Sequence, residues 1–315
     1  MRQDDTPQQA VFEFLAAPET HGGAQVARID THAASVFLAG ERALKVKRAV
    51  RFPFLDYSTL EKRKAACEAE LAVNHPFAPQ IYKRVLPITR ETDGRLAIDG
   101  KGEPVEWAVE MGRFDETQTL DQLAEAGRID TKLADALGRA VAKAHVQVPV
   151  VKDFDFAAAL EDIVAQNDAE LRDVPELFPG DAVTTLTEAT SKALASMRPL
   201  LAQRQHDGFV RRCHGDLHLG NIVSIDGQPT LFDAIEFDER IATSDVLYDL
   251  AFLLMDLIER KLTQAGNIVL NRYLIDARRD ENLDALAALP LFMAVRAAIR
   301  AKVTAARREH AKDRA

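Results

Sequence analysis

Short alternations of apolar and polar residues fill the first third of the chain, and three- and four-residue apolar spacings fill the rest. Residues 25–30, 35–39 and 42–48 read as strands, with Ala39-Gly40-Glu41 as a hairpin turn. A helix follows over about 59–74, with Leu60, Lys64, Cys67, Leu71 and Asn74 on one face and Glu68 and Glu70 among its outer positions. Further strands are expected at 85–89, 95–98 and 105–111, the last running into Gly112. From Thr117 the pattern is helical, with segments at 117–126, 130–146, 155–172 and 182–205. Leu133, Leu137, Val141 and His145 stack on one face of the second, which makes His145 a core histidine. The only later strand signals are 222–225 and 230–232, flanking Asp226-Gly227, a hairpin dipeptide. The apolar run 246–258 contains Asp249 and Asp256, so it is too short and too charged to span a bilayer and reads as a buried helix.

Strands crowded at the start and helices after them indicate an α+β chain, not a doubly wound sheet. The expected architecture has two lobes. Residues 1–112 form an antiparallel sheet with one helix, and residues 113–315 form a larger, mostly helical lobe. A chain of 315 residues is long enough for both. The net charge of -9 argues against a nucleic-acid partner and leaves room for a cationic one. Cys67 and Cys213 are too few for a disulfide framework, and the polar start MRQDDTPQQA is no signal peptide, so a cytoplasmic setting without a membrane partner is expected.

The chemistry concentrates in His214-Gly215-Asp216-Leu217-His218-Leu219-Gly220-Asn221, followed by Leu231-Phe232-Asp233. Asn221 precedes the first strand of the hairpin and Asp233 ends the second, so the two are expected at its open end. An amide oxygen and a carboxylate there make a hard-oxygen pair suited to Mg²⁺. Asp216 lies one tight loop upstream, and Gly215 and Gly220 permit the backbone such a loop needs. A carboxylate base beside a magnesium site fits phosphoryl transfer.

The Asp-to-Asn interval is that of the protein-kinase loop, and the later Asp falls where the kinase metal aspartate would. In the form HGDxHxGN the stretch resembles the aminoglycoside phosphotransferase family, small-molecule kinases with a protein-kinase-like fold. Residues 37–40, 45–48, 52–61 and the block from Asp233 through Glu236 to Ala251 resemble the phosphotransferase half of bifunctional aminoglycoside phosphotransferase/ATP-binding proteins. The resemblance implies transfer of the γ-phosphoryl of ATP to a hydroxyl of a small-molecule acceptor, with Asp216 as base and Asn221 and Asp233 as Mg²⁺ ligands. It implies that Lys45 meets the nucleotide phosphates. Lys47 lies on the same strand face, and the match of Leu44-Lys45-Val46 favours Lys45. The partner carboxylate is Glu70, with Glu68 in reserve. Glu110 C=O and an N–H of Met111 or Gly112 would hold adenine. Thr31-His32-Ala33-Ala34-Ser35 stands where protein kinases carry a glycine-rich loop, and Ser35 could touch phosphate or merely build a turn. Asp249 would brace the catalytic loop, His214 and His218 would support it, and Glu236 would extend the metal site or line the acceptor pocket. In the bifunctional proteins a P-loop ATP-binding domain follows. No GxxxxGK[ST] occurs here, so such a partner domain is absent from this chain.

Two other readings compete. His214, Asp216 and His218 could ligate zinc in a metallohydrolase, though Asn221 and Asp233 would then have no role. The chain could instead be a kinase-fold nucleotide-binding or regulatory module without turnover. Asp153, Asp155, Glu161, Asp162 and Asp168 fall where related kinases bind acceptors, and also read as a solvated face.

Overall fold

The computed structural model of the protein describes residues 7–52 and 55–312. Most of the polar start, Pro53 and Phe54 of the 52–61 block and the last three residues of the charged tail lie outside the described residues. The chain divides into two compact units. One comprises Met1–Thr119 with Thr230–Glu239, the other Leu120–Pro229 with Arg240–Ala315. The division falls seven residues beyond the Gly112 boundary (119 - 112 = 7), and the segment bearing Asp233 and Glu236 groups with the first unit. The reason is polar: Asn74, Lys45 and Lys47 all bind that segment.

The first unit opens with helix α1 (Pro7–Ala16), which the sequence reading did not identify. Strands β1 (Val26–Asp30), β2 (Ala34–Ala39) and β3 (Arg42–Lys47) follow, and then two short strands, β4 (Arg51–Phe52) and β5 (Leu55–Asp56), pair with each other. After helix α2 (Leu60–Asn74) come β6 (Tyr82–Arg90), β7 (Leu96–Ile98) and β8 (Glu103–Gly112). The main sheet is antiparallel in the order β1-β2-β3-β8-β6-β7. Strand alternation gives it two unlike faces. Leu44 and Val46 pack with Phe37 and with Val11, Phe12 and Leu15 of α1 in one apolar cluster. Lys45 and Lys47 point to the other face, toward Glu70 of α2.

Helix α2 is capped by Thr59, whose side chain accepts from Lys62 N. Its buried residues are Arg63, Cys67, Glu70 and Asn74. Of the expected face Cys67 and Asn74 are buried, but Arg63 and Glu70 are buried in place of Lys64 and Leu71, because this helix docks through ion pairs rather than hydrocarbon. Arg63 bonds the buried Glu106 at 2.9 Å, and Glu70 meets both lysines.

The second unit carries α3 (Leu120–Glu125), α4 (Thr131–Gln147), α5 (Phe156–Arg172) and α6 (Gly180–His206). Residues 116–118 form a separate 3₁₀ turn, so the expected helix at 117–126 is broken. Asp130 and Asp155 cap α4 and α5. Strand β9 (Val210–Arg212) precedes the loop of interest, and β10 (Ile222–Ile225) follows it. Asp226 and Gly227 both have positive φ, the turn that the dipeptide demands, before β11 (Gln228–Leu231). Short helix α7 (Glu239–Ala242) leads to β12 (Thr243–Asp245), which pairs with β9. Helix α8 (Val246–Glu259) is buried along almost its whole length. Helices α9 (Thr263–Ala277), α10 (Glu281–Asp284) and α11 (Leu289–Lys312) complete the unit. Gly138 lets α4 approach α9: a Cβ there would stand 2.7 Å from Val269 O. By length and composition residues Glu281–Ala305 could cross a membrane, but half of that apolar window packs inside the protein, and Arg296 within it is buried on the loop at 214–221.

Arg204 of α6 is buried with its guanidinium bidentate on Asp245, at 2.6 and 2.8 Å. Asp245 in turn caps α8 through Leu247 N. Removing the cation leaves a buried carboxylate unpaired. Arg204→Met is expected to cost about 3–5 kcal/mol, read as a lowered urea midpoint; an unchanged midpoint would refute the pairing.

Candidate active site

In the second unit the loop between β9 and β10 is shaped by acceptors placed under it. Asp249, in the first turn of α8, has no exposed side-chain surface. Its carboxylate accepts Gly215 N at 2.9 Å, His214 N at 3.3 Å and His145 Nε2 at 3.1 Å. Arg296 donates to Gly215 O at 3.1 Å from the other side. Asp256, two turns further along α8, accepts Leu219 N at 2.9 Å and is held by Arg260 and Arg300. Burial pushes the Asp249 carboxyl up, but His145 and Arg296 outweigh it and hold it below the ordinary value. Gly215 sits at φ +84°, where a side chain would strain the turn.

So held, the loop presents Asp216, whose side chain is 40% exposed. Asn221 Nδ2 donates to both the Asp216 carbonyl and its carboxylate, at 3.0 Å each. With its nitrogen committed, Asn221 has its oxygen to offer a cation. His218 Nδ1 accepts Gly220 N at 3.1 Å, which leaves Nε2 to carry the proton toward Asp216 Oδ2 at 3.4 Å. Burial raises the Asp216 pKa, but the hydrogen bond from His218 leads the influences that bring it down to about 2. Asp216 is therefore ionised at neutral pH.

In the first unit Lys45 Nζ lies 2.7 Å from Glu70 Oε1 and 2.8 Å from Asp233 Oδ1. Burial disfavours the ammonium, yet Asp233 and Glu70 keep its pKa well above normal. Burial likewise raises Glu70, but Lys45 and Lys47 bring it below its ordinary value. Glu68 is exposed and pairs loosely with Lys64, so Glu70 is the carboxylate that meets Lys45. Asp233 adopts φ +59°, uncommon for a non-glycine residue, and its side chain is 47% exposed. Its amide donates to Tyr82 OH at 3.1 Å, and Asn74 brackets Ala234 with two hydrogen bonds. A cavity of about 200 Å³ adjoins this group, lined by Val36, Leu38, Ala43, Met111 and Phe232, with Lys45, Asp233, Arg113 and Glu116 as its charged residues.

Several sequence assignments need correction. The Ser35 hydroxyl is buried and bonds Asp30 at 2.6 Å, so it is committed to the turn. Ile29, Thr31 and Val36 of that hairpin line the cavity instead. Gly112 N donates to Ile81 O at 2.7 Å and is not free for adenine. The Glu110 side chain is held by Arg42 and Arg84, which leaves the expectation for its carbonyl untouched. Glu236 is tied to Lys47 and accepts from Tyr57 at 3.2 Å. On α5, Asp155 caps the helix, Glu161 pairs with Arg198 and Asp168 with Arg172. Among the described residues, the one His/Cys/Asp/Glu group close enough to hold a metal is His145, Cys213 and Asp249, not His214, Asp216 and His218. His145 and Asp249 are already bonded to each other, and the Cys213 thiol donates to Ser244 O while burial keeps its pKa well above normal. Tyr82 and Arg296 went unnoticed in the sequence, and Asn74 was placed on the packed helix face without its hydrogen bonds to Ala234. Only Arg296 left a signal, a cation inside an apolar helix.

Residues 30–289 match the model of the phosphotransferase enzyme family. An uncharacterized protein of Mycobacterium tuberculosis is 29% identical over 290 residues, which are 91% of this chain and 56% of that protein. A protein of Mycobacterium bovis gives the same figures, so the chain spans about half the length of these curated relatives. Among solved structures, choline kinase from Cryptosporidium parvum Iowa II aligns with a TM-score of 0.52 at 12% identity, covering 87% of this chain and 81% of that one. A choline/ethanolamine kinase family protein from Mesorhizobium loti aligns at 0.51 and 17%, covering 92% and 84%. These likenesses show a kinase-like fold, and with the family match spanning most of its length the chain belongs to the phosphotransferase enzyme family.

Proposed function

We propose that the protein transfers the γ-phosphoryl group of ATP to a hydroxyl of a small-molecule acceptor in a magnesium-dependent reaction. The observation that carries this reading is Lys45, poised between buried Glu70 and exposed Asp233 and lining a mostly apolar cavity. A slot with apolar walls suits a flat base, and a fixed cation beside it suits phosphate.

Each residue then has a task. Glu70 orients Lys45 toward the phosphate oxygens. Asn221 Oδ1 and the Asp233 carboxylate are hard-oxygen donors that would hold Mg²⁺, which when bound neutralises phosphate charge. Asp216 accepts a hydrogen bond from the acceptor hydroxyl and aims its oxygen. As the new P–O bond forms and the bridge to ADP breaks, the hydroxyl proton passes to Asp216. A carboxylate of such low pKa is a weak base, so it orients first and takes the proton late. A cytoplasmic site of action agrees with the buried free thiols of Cys67 and Cys213. Amino-alcohols, amino-sugars and other small alcohols are the acceptors to screen. A P-loop ATP-binding domain, as a separate chain or a continuation, is the partner to seek.

Two outcomes test the roles. Asp216→Asn should lower kcat by about 10²-fold or more in a phosphotransfer screen, while the Kd for Mg-ATP by calorimetry stays within about threefold. Undiminished turnover would remove Asp216 as base. The depressed pKa makes the competent, ionised form persist down to about 2, so activity that depends on Asp216 is lost only as pH falls toward that value. Hence kcat should show no acid limb from this group between about pH 5 and pH 8. If a limb near neutrality moved in Asp216→Glu, the assigned ionisation state would be wrong.

A further inference from the structure

Glu70 carries two cations, one on each oxygen. Lys45 Nζ takes Oε1 at 2.7 Å, and Lys47 Nζ takes Oε2 at 2.6 Å. The two lysines differ in what else they can reach. Lys45 lines the cavity and also holds Asp233. The Lys47 side chain is 3% exposed, stays out of the cavity, and makes its second ion pair with Glu236. Its ammonium also lies 5.4 Å from the centre of the Tyr57 ring.

On the proposed function, Lys45 must loosen its present ion pairs to meet a phosphate. Were it the sole counter-ion of Glu70, that movement would strip charge compensation from a carboxylate with no access to water. A buried carboxylate left alone is strongly disfavoured, so it would hold the lysine back. A second cation removes that restraint. We propose that Lys47 is a positioning residue, the resident counter-ion of Glu70 that leaves Lys45 free to engage the nucleotide phosphates. The inference rests on the nucleotide-binding reading given above.

A purely structural role would run through Glu236. Lys47 would then serve to pin the segment 233–236, which Asn74 and Tyr82 also hold. The two roles separate in a set of variants of the full chain. Mg-ATP binding is followed by calorimetry, with thermal unfolding as the check on folding. Lys47→Met should raise Kd about tenfold or more, while Glu236→Gln, which leaves Lys47 wholly to Glu70, stays within about threefold of the parent. The double variant should bind no better than Lys47→Met. Where turnover is measurable, Lys47→Met should raise the KM for ATP and leave kcat at saturating ATP within about threefold. Wild-type-like binding by Lys47→Met, or restored binding in the double variant, would overturn the proposal. So would a tenfold loss in Glu236→Gln, which decides the matter even if Lys47→Met does not fold. A parent protein that binds no Mg-ATP would instead bring down the functional reading first.

Discussion

A carboxylate with no exposed surface, Glu70, organises the first unit. Placing it on α2 forces cations onto the facing strand, and β3 supplies them at alternate positions as Lys45 and Lys47. The sheet is therefore apolar on the side packed by α1 and ionic on the side that meets α2. The same ionic face draws in residues 233–236, which lie far along the chain. Asp233 and Glu236 each pair with one of the lysines, and Asn74, one helical turn beyond Glu70, fixes the backbone between them. Charge pairing in a dry setting thus decides which part of the chain belongs to which unit.

The second unit uses the same device, buried carboxylates compensated by cations. Asp249 and Asp256 stand seven residues apart on one face of α8, and both accept loop amides. Their negative charge is offset by Arg260, Arg296 and Arg300, and His145 adds a hydrogen bond to Asp249. With its backbone amides held from below, the loop can aim Asp216 outward without relying on the acceptor to order it. Preorganisation of this kind lowers what must be rearranged when a substrate arrives. It also accounts for two aspartates in an otherwise apolar helix, which composition alone marks only as a departure from a membrane span.

Much of this was legible in the sequence. The loop 214–221 announced itself by its spacing and glycines, the hairpin by Asp226-Gly227, and β1 to β3 by alternation. What hydrophobic periodicity misread on α2 was the burial of Arg63 and Glu70, because a scale that rewards hydrocarbon cannot see positions buried by ion pairs. Glu70 came from resemblance alone. Strands β9 and β12, three residues each, exist through pairing with one another and have no local signature. Of the two readings open for Ser35, the turn agrees with its hydrogen bond to Asp30, five residues back, a partner that spacing alone does not reveal.

The same charge logic bears on the acceptor. Acidic residues along α5 invited the idea of a cradle for a cation, yet three of them are occupied: Asp155 by the N-terminus of its own helix, Glu161 by Arg198, and Asp168 by Arg172 and Thr187. A carboxylate already satisfied by an arginine gives up that partner before it can meet an ammonium, so net affinity is small unless the new site is drier than the old one. A cavity of about 670 Å³ in the second unit, between α8, α11 and residues 177–178, offers no alternative cradle, because its walls are mostly apolar and its charges are Glu259 and Arg300. The two acidic groups of this chain are thus under different constraints. Glu70, Asp249 and Asp256 are buried and locked by ion pairs and by the amides they accept. The acidic residues at and along α5 are accounted for by helix capping and arginine pairing.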